Sequence, residues 1–131
     1  MGDWKVSADL KYTKNDEWVR IEGDTATIGI SDYAQNQMND IVYVEFPDVG
    51  ASFAQGQAFG VIESVKAASD VFMPVGGTVT EVNSVLEDEP ELINGDAFGK
   101  GWVIKVKLNS AAEADSLMDA AAYAAYCDSR Q

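Results

Sequence analysis

The stretch VIESVKAASD, residues 61–70, places a single lysine, Lys66, between two segments whose alternating residues predict strands. AFGVIES (residues 58–64) precedes the lysine and SDVFMPV (residues 69–75) follows it, so residues 65–68 form the loop of a tight hairpin. Most lysines lie on loops in contact with solvent, and Lys66 has that ordinary interpretation. It also has a second one. An amine at a hairpin tip, flanked by small and apolar residues, is accessible to a modifying enzyme that grips the loop from both sides.

Short strands with tight turns extend on both sides of this hairpin. Gly23-Asp24 predicts a two-residue hairpin turn, and Gly76-Gly77 predicts another turn at which Gly77 takes a positive φ. The other predicted strands are EWVRIE (17–22), TATIGI (25–30), IVYVEF (41–46), TVTEV (78–82) and WVIKVKL (102–108). About seven short strands favour a mainly β fold, a flattened β-barrel or sandwich with short helices added.

Helices are predicted in two places. Ser31 is a suitable N-cap for a short helix before residue 41. Near the C-terminus, Ser110 and Glu113 have the spacing of a capping box, which predicts a helix to about Met118, and Asp119 is expected to cap a second helix. The residues expected to dock these last two helices are Leu117, Tyr123 and Tyr126. The acidic stretch of residues 86–101, broken by Pro and Gly, is expected to be a loop with at most one helical turn.

Composition excludes several classes of function. The 131 residues include 9 basic and 22 acidic side chains, a net charge of -13 that disfavours binding to nucleic acid or anionic membranes. This charge serves either solubility alone or attraction to basic partner proteins. The chain has no histidine and one cysteine, Cys127, which rules out Ser-His-Asp triads and an internal disulfide.

Other candidate sites have simpler interpretations. The acidic residues of 87–91 lack the spacing of a calcium loop, and the Gly-Lys-Gly at 99–101 lacks the rest of a phosphate-binding loop. No metal site and no catalytic residue is therefore predicted. Cys127 lies in an alanine-rich segment and is expected to be a small core residue. With no apolar run of about 20 residues and no targeting pattern, the chain is predicted to be cytoplasmic, or else a mature protein of the mitochondrial matrix.

Four segments of the chain resemble the H proteins of the glycine cleavage system. These are VIESVKAASD, IGISDYAQNQMNDIVYVEFPDVG, EVNSVLEDEPELIN and GKGWVIKVK, which occur in the family's order between about Leu10 and Cys127. The resemblance implies a lipoyl-type fold, the barrel-sandwich hybrid, with two helices at the C-terminus. It also implies a single domain over residues 1–131, with an N-terminal extension over 1–9 and a helical segment over 110–129.

The same resemblance implies roles for individual residues. Lys66 would carry lipoate in amide linkage, and the lipoylating enzymes would recognise Glu63 and Gly77. The cleft that receives the loaded arm would be lined by Asn15, Glu17 and Asp70. One position departs from the family pattern, because Asp16 stands where the family usually has histidine.

The family's activity is that of a carrier, not an enzyme. The resemblance implies that the chain takes an aminomethyl group from the pyridoxal-phosphate-dependent glycine decarboxylase (P protein) to the tetrahydrofolate-dependent aminomethyltransferase (T protein). Dihydrolipoamide dehydrogenase (L protein) then takes its electrons. Besides these partners and the lipoylating enzymes, no nucleic acid or membrane partner is expected, and the protein is expected to be a monomer.

The sequence disfavours two other classes of carrier and leaves two alternatives open. Carrier domains of 2-oxo acid dehydrogenases have Asp-Lys-Ala at the hairpin, where this chain has Val65, and biotin carriers flank their lysine with methionines. A relay protein that donates lipoate to other carriers has the same expected fold. In an unmodified interaction module, Lys66 would be incidental.

Overall fold

The computed structural model of the protein describes residues 4–130 and contains two antiparallel sheets. The larger sheet has the strand order β1-β2-β3-β9-β8-β5, and the smaller one has the order β4-β6-β7. The strands are β1 (Lys11–Tyr12), β2 (Glu17–Glu22), β3 (Thr25–Ile30), β4 (Ile41–Glu45), β5 (Ser52–Phe53), β6 (Ala58–Ser64), β7 (Ala68–Phe72), β8 (Gly77–Val82) and β9 (Ile104–Leu108). This confirms the mainly β fold, as two sheets of six and three strands that do not join into a closed barrel over residues 4–130.

The local turn signals account for much of this topology. β2 and β3 pair from Glu22↔Thr25 onward, and Gly23 has φ +66°, which confirms the two-residue hairpin turn. β6 has the predicted bounds, whereas β7 begins one residue early and ends at Phe72. β9 begins at Ile104, two residues later than expected.

Apolar side chains from both sheets meet in one core. Ile28 and Val106 of the larger sheet and Ile62 and Val71 of the smaller one belong to it and are at most 2 % exposed. A second cluster packs the C-terminal helix against the larger sheet. Its fully buried members are Tyr12, Trp18, Tyr123 and Cys127, which confirms Cys127 as a core residue.

Two of the three predicted N-caps, Ser31 and Asp119, are present. The Ser31 side chain accepts a hydrogen bond from Ala34 N at 3.1 Å and begins α1 (Asp32–Met38). Asp119 accepts one from Ala122 N at 2.9 Å and begins α3 (Ala120–Ser129). The expected docking residues of the C-terminal segment are in place: Leu117 packs on the core, Tyr123 is buried, and the Tyr126 hydroxyl donates to the Lys14 carbonyl at 3.1 Å.

The predicted capping box at Ser110 and Glu113 is wrong. Residues Ala111–Ser116 form a 3₁₀ helix, and the Ser110 side chain makes no cap hydrogen bond. The Glu113 carboxylate instead accepts a hydrogen bond from Gly76 N at 2.7 Å, 37 residues away in the chain. The Glu113 carboxylate, which was expected to form a capping box with Ser110, therefore connects this segment to the residue before β8.

The acidic stretch of residues 86–101 contains one helical turn, α2 (Leu92–Gly95), as expected. A 3₁₀ helix over Ser84–Glu87, which the sequence did not predict, begins before this stretch and overlaps its first two residues. Each contributes one fully buried side chain to the core, Leu86 and Ile93. These two anchors hold in place turns that the local sequence would not form alone.

The positive φ predicted for Gly77 is also wrong. It does not take a positive φ, which among the described glycines occurs at Gly23, Gly50 and Gly56. Gly77 begins β8, opposite Leu108 of β9, and a Cβ on it would lie 2.5 Å from the Lys107 carbonyl oxygen. Glycine is needed there because two strands approach closely.

Two predictions on the limits of the chain extend beyond the described residues. Residues 1–3 and residue 131 lie outside them, so the single domain over 1–131 and the N-terminal extension over 1–9 stay predictions. Within residues 4–130, no helix has the length and apolar character needed to cross a membrane.

Candidate functional site

The hairpin that carries Lys66 is held by a serine at its base. Ser64 N donates to the Ala67 carbonyl at 2.7 Å. The Ser64 hydroxyl oxygen accepts from Lys66 N and Ala67 N at 3.3 and 3.2 Å. These bonds fix the backbone of the turn, so Lys66 projects from a defined position and its side chain is exposed.

The tip of the hairpin is also tied to the neighbouring segment. Val65 N donates to the Asp40 carbonyl at 3.0 Å, directly before β4, and Ile41 pairs with Ser64. The smaller sheet thus supports the tip from one side. On the other side, β7 is an edge strand and leaves the hairpin open.

A cavity of about 210 Å³ lies beside β7. The three residues expected to line the arm cleft, Asn15, Glu17 and Asp70, all line it. Much of the remaining wall is apolar and comes from β3, α1 and the two hairpin strands, namely Ile30, Ala34, Met38, Ile62 and Val71. The cavity therefore combines apolar walls with carboxylates. It lies beside β7, the hairpin strand that follows Lys66.

Among the residues that line this cavity, Glu17 has a strongly shifted pKa. It is 1 % exposed, and its two carboxylate oxygens accept hydrogen bonds from the Thr13 hydroxyl at 2.5 Å and from Phe72 N at 3.1 Å. Burial raises the pKa of Glu17 to about 7, although both hydrogen bonds act in the opposite direction. Because Phe72 ends β7, Glu17 connects the loop before β2 to the hairpin strand.

Asp16 is held by the C-terminal helix, an interaction that sequence reasoning missed. It has φ +69°, and its carboxylate accepts hydrogen bonds from the Arg130 guanidinium at 2.5 and 3.1 Å and from the Tyr123 hydroxyl at 2.9 Å. The guanidinium also lies over the rings of Tyr33 and Tyr126, at 4.3 and 4.1 Å from their centroids. Burial lowers the pKa of Arg130, but its hydrogen bonds to Asp16 and the charge of Asp16, with smaller contributions from Cys127 and Tyr33, together outweigh this and raise the pKa overall. The only local signal was the residue type, because Asp, Asn and His are enriched at positive φ.

The two expected recognition residues lie in different sheets. Glu63 is in β6, three residues before Lys66, and pairs with Tyr43 on one side and Ala68 on the other. Gly77 is in β8 of the larger sheet. The structure thus joins Glu63 to the lysine hairpin and gives Gly77 a packing requirement, and the recognition role of both residues stays a prediction.

The remaining candidates of the sequence take no part in this site. Within residues 4–130, no group of three or more His, Cys, Asp or Glu side chains is placed to hold a metal ion. Gly99–Gly101 belong to the turn before β9. Cys127 belongs to α3 and is fully buried.

Comparison with known proteins gives one consistent result. The family model described as "Glycine cleavage H-protein" matches residues 10–130. A "Glycine cleavage system H protein" of Symbiobacterium thermophilum is 52 % identical, over 92 % of this chain and 94 % of the relative. "Glycine cleavage system H protein 2, mitochondrial" of Arabidopsis thaliana is 51 % identical, over 94 % of this chain and 79 % of the relative. A crystal structure of the H protein of Mycobacterium marinum superposes with a TM-score of 0.84 at 32 % identity, covering 92 % of this chain and 97 % of the other.

Proposed function

Because the chain belongs to the glycine cleavage H-protein family, the lipoyl carriers of the glycine cleavage system, we propose that Lys66 is the lysine that carries the lipoate. The observation that supports this is the position of Lys66, an exposed side chain on a turn whose backbone is fixed by Ser64. The loaded protein would carry an aminomethyl group from the glycine decarboxylase to the aminomethyltransferase, and electrons to dihydrolipoamide dehydrogenase.

The residues around the hairpin suit an attached lipoyl group. When bound, that group supplies a disulfide that can accept a carbon unit and two electrons. The apolar cavity walls, such as Met38 and Val71, suit a hydrocarbon chain, and Glu17 and Asp70 suit a cationic amine. In this proposal the cavity shelters the cargo from water, and the fixed turn presents the lysine to each partner in the same orientation.

Glu17 would bind the cargo without taking part in the attachment of lipoate. Glu17 is one of the residues that line the cavity and bonds to Phe72 N at the end of β7, whereas Lys66 lies before the start of β7. A cation beside Glu17 would favour its ionised form and so lower its raised pKa. The carboxylate would thus gain full charge when the cargo is present.

We propose further that the chain catalyses none of the reactions it serves. It has no histidine, and therefore lacks the side chain most often used as a general base near neutral pH. The chemistry would belong to the partner enzymes. The relatives include bacterial and mitochondrial proteins, and either compartment remains compatible with this role.

Mass spectrometry tests the assignment of Lys66. Protein from a cell that makes lipoate should carry one lipoyl group, and peptide analysis should place it on Lys66. Lys66→Arg should abolish this mass increment and the carrier activity. It should change the free energy of unfolding by less than about 0.5 kcal/mol, because the side chain is exposed. Lys100→Arg is the matched control, since Lys100 is also an exposed loop lysine and should be dispensable. A lipoyl group found on any other lysine, or an unmodified Lys66 in such a cell, would overturn the proposal.

A further inference from the structure

Five large apolar side chains are strongly exposed among the described residues, and three of them lie around the lysine hairpin. Val42 and Tyr43 are each 51 % exposed, and Val65, next to Lys66, is 67 % exposed. Tyr43 pairs with Glu63 across the β4–β6 ladder, and Val65 follows Ser64, the partner of Ile41. The three side chains therefore lie at the same end of the smaller sheet.

A β-bulge in β4 exposes Tyr43. The pairs Ile41↔Ser64 and Tyr43↔Glu63 show that β4 advances two residues while β6 advances one. Ile41 and Val44 are both buried, so Val42 and Tyr43 together occupy the space between two inward residues. A regular strand with Ile41 inward would bury Tyr43 as well. The bulge re-aims the ring to the surface, and bulges recur where a side chain must be redirected for function.

Three acidic residues are neighbours of these apolar side chains in the strands or along the chain. Glu63 lies directly beside Tyr43, Glu45 follows two residues later on the same outward face, and Asp40 accepts the hydrogen bond from Val65 N through its carbonyl. Glu45 and Asp40 are exposed, and the whole chain has a net charge of -13. An apolar centre with a charged rim is typical of a protein interface. Because this rim is negatively charged, it favours a partner with basic residues.

We propose that Val42, Tyr43 and Val65, with the rim of Glu45 and Glu63, form the docking surface for the enzyme that acylates Lys66. The proposal rests on the assignment of Lys66 as the lipoyl lysine. That enzyme would present an apolar recess edged by Lys or Arg side chains. We call this surface the hairpin face.

The position of the reacting atom favours this partner. In acylation, the neutral Lys66 amine attacks the carbonyl carbon of an activated lipoyl donor, the C–N bond forms, and the activating group leaves with the electrons of the broken C–O bond while the nitrogen loses a proton. The donor carbon must therefore reach Nζ itself. The enzyme surface then approaches the turn to within the length of the Lys66 side chain. It then covers Val65 and Tyr43. Enzymes that act at the far end of the attached arm need not approach so closely.

The rate of acylation tests the hairpin face. Unmodified protein is incubated with a purified lipoate–protein ligase, ATP and lipoate, and the product is measured by intact mass over a range of protein concentrations. Tyr43→Ser and Val65→Ser should each raise the KM for the protein about tenfold, the size expected for loss of an interface anchor, and leave kcat within about twofold. Val49→Ser is the matched control, because Val49 is 61 % exposed in the turn before β5 and should leave KM unchanged.

Two further variants distinguish the contact from a general effect on folding. Tyr43→Phe keeps the ring and should retain the wild-type KM. Glu45→Gln should weaken the salt dependence of kcat/KM, because it removes one charge of the rim. The inference is overturned if Tyr43→Ser and Val65→Ser are acylated with the wild-type KM, or if only kcat falls. If the ligase leaves wild-type Lys66 unmodified, the assignment of Lys66 fails first, which is a different result.

Discussion

The contact between Asp16 and Arg130 joins the loop before β2 to the C-terminal helix. Its loss should lower the free energy of unfolding by a measurable amount. Arg130→Met removes two charge-assisted hydrogen bonds and the stacking on Tyr33 and Tyr126, while the Tyr123 hydroxyl still donates to Asp16. The side chains of Arg130 and Asp16 are 28 % and 18 % exposed. The loss in free energy of unfolding caused by Arg130→Met should therefore lie between two values. Surface pairs contribute at most about 1 kcal/mol, and breaking a buried pair costs about 3–5 kcal/mol. We expect a loss of about 2 kcal/mol, or roughly 7 °C in Tm for a chain of this length.

A double-mutant cycle isolates the pair. Urea unfolding of Asp16→Asn, Arg130→Met and the double variant should give a coupling energy of about 1–2 kcal/mol. Lys105→Met is the control, because Lys105 lies 4.0 Å from Glu81 with both side chains largely exposed, and its loss should cost less than about 0.5 kcal/mol. Single effects that add to the double effect within about 0.5 kcal/mol would refute the argument that the pair is a structural contact.

Asp16→His, which restores the residue that the family usually has, extends the same reasoning. Histidine tolerates the positive φ of this position, so the backbone should not resist the change. The imidazole would face the Arg130 guanidinium in place of a carboxylate. We therefore expect Asp16→His to lower the free energy of unfolding, and Arg130→Met to have a smaller effect in that background than in the wild type.

Two other substitutions test the cleft and the start of β8. Glu17→Gln cannot ionise. Its amide oxygen can still accept from Phe72 N, whereas its NH2 group can only donate, so the Thr13 hydroxyl would have to become the acceptor. Because the pKa of Glu17 rises from 4.5 to about 7 in the folded state, the folded protein binds this proton more tightly, and the wild type should lose stability as the pH rises through that interval. The Gln variant should lose less between about pH 5 and pH 8 by urea unfolding, and parallel profiles would show that Glu17 does not titrate in this way. Gly77→Ala places a Cβ 2.5 Å from the Lys107 carbonyl oxygen and should destabilise the fold by about 1–3 kcal/mol. Gly95→Ala, whose Cβ meets nothing within 4 Å, should not, and equal losses would contradict the packing argument.

The sequence was informative where structure depends on neighbouring residues. Alternation and turn residues predicted the bounds of β6, the Gly23 hairpin and the Ser31 and Asp119 caps, because these features are determined within a few residues. The errors arise where distant residues compete. The Glu113 carboxylate bonds to Gly76 N and not to its own helix, and no local pattern indicates this.

The site shows the same division. The hairpin that carries Lys66 followed from local patterns. The three residues that the family resemblance assigned to a cleft line one cavity, and their role there stays a prediction. The bulge that exposes Tyr43 could not be predicted from the run of four apolar residues in β4. Bulges are defined by the register of two strands, and register is a property of the pair.

Asp16 shows how a change at one position can depend on the far end of the chain. A residue at positive φ must be one of the few types that tolerate it, and both Asp and His do. The choice between them is then made by what the side chain meets, which here is Arg130, 114 residues away. The next residue, Glu17, bonds to Phe72 N at the end of the hairpin strand β7. Two consecutive side chains therefore connect the C-terminal helix to β7, the hairpin strand that follows Lys66, so that Arg130→Met should alter the position and the pKa of Glu17.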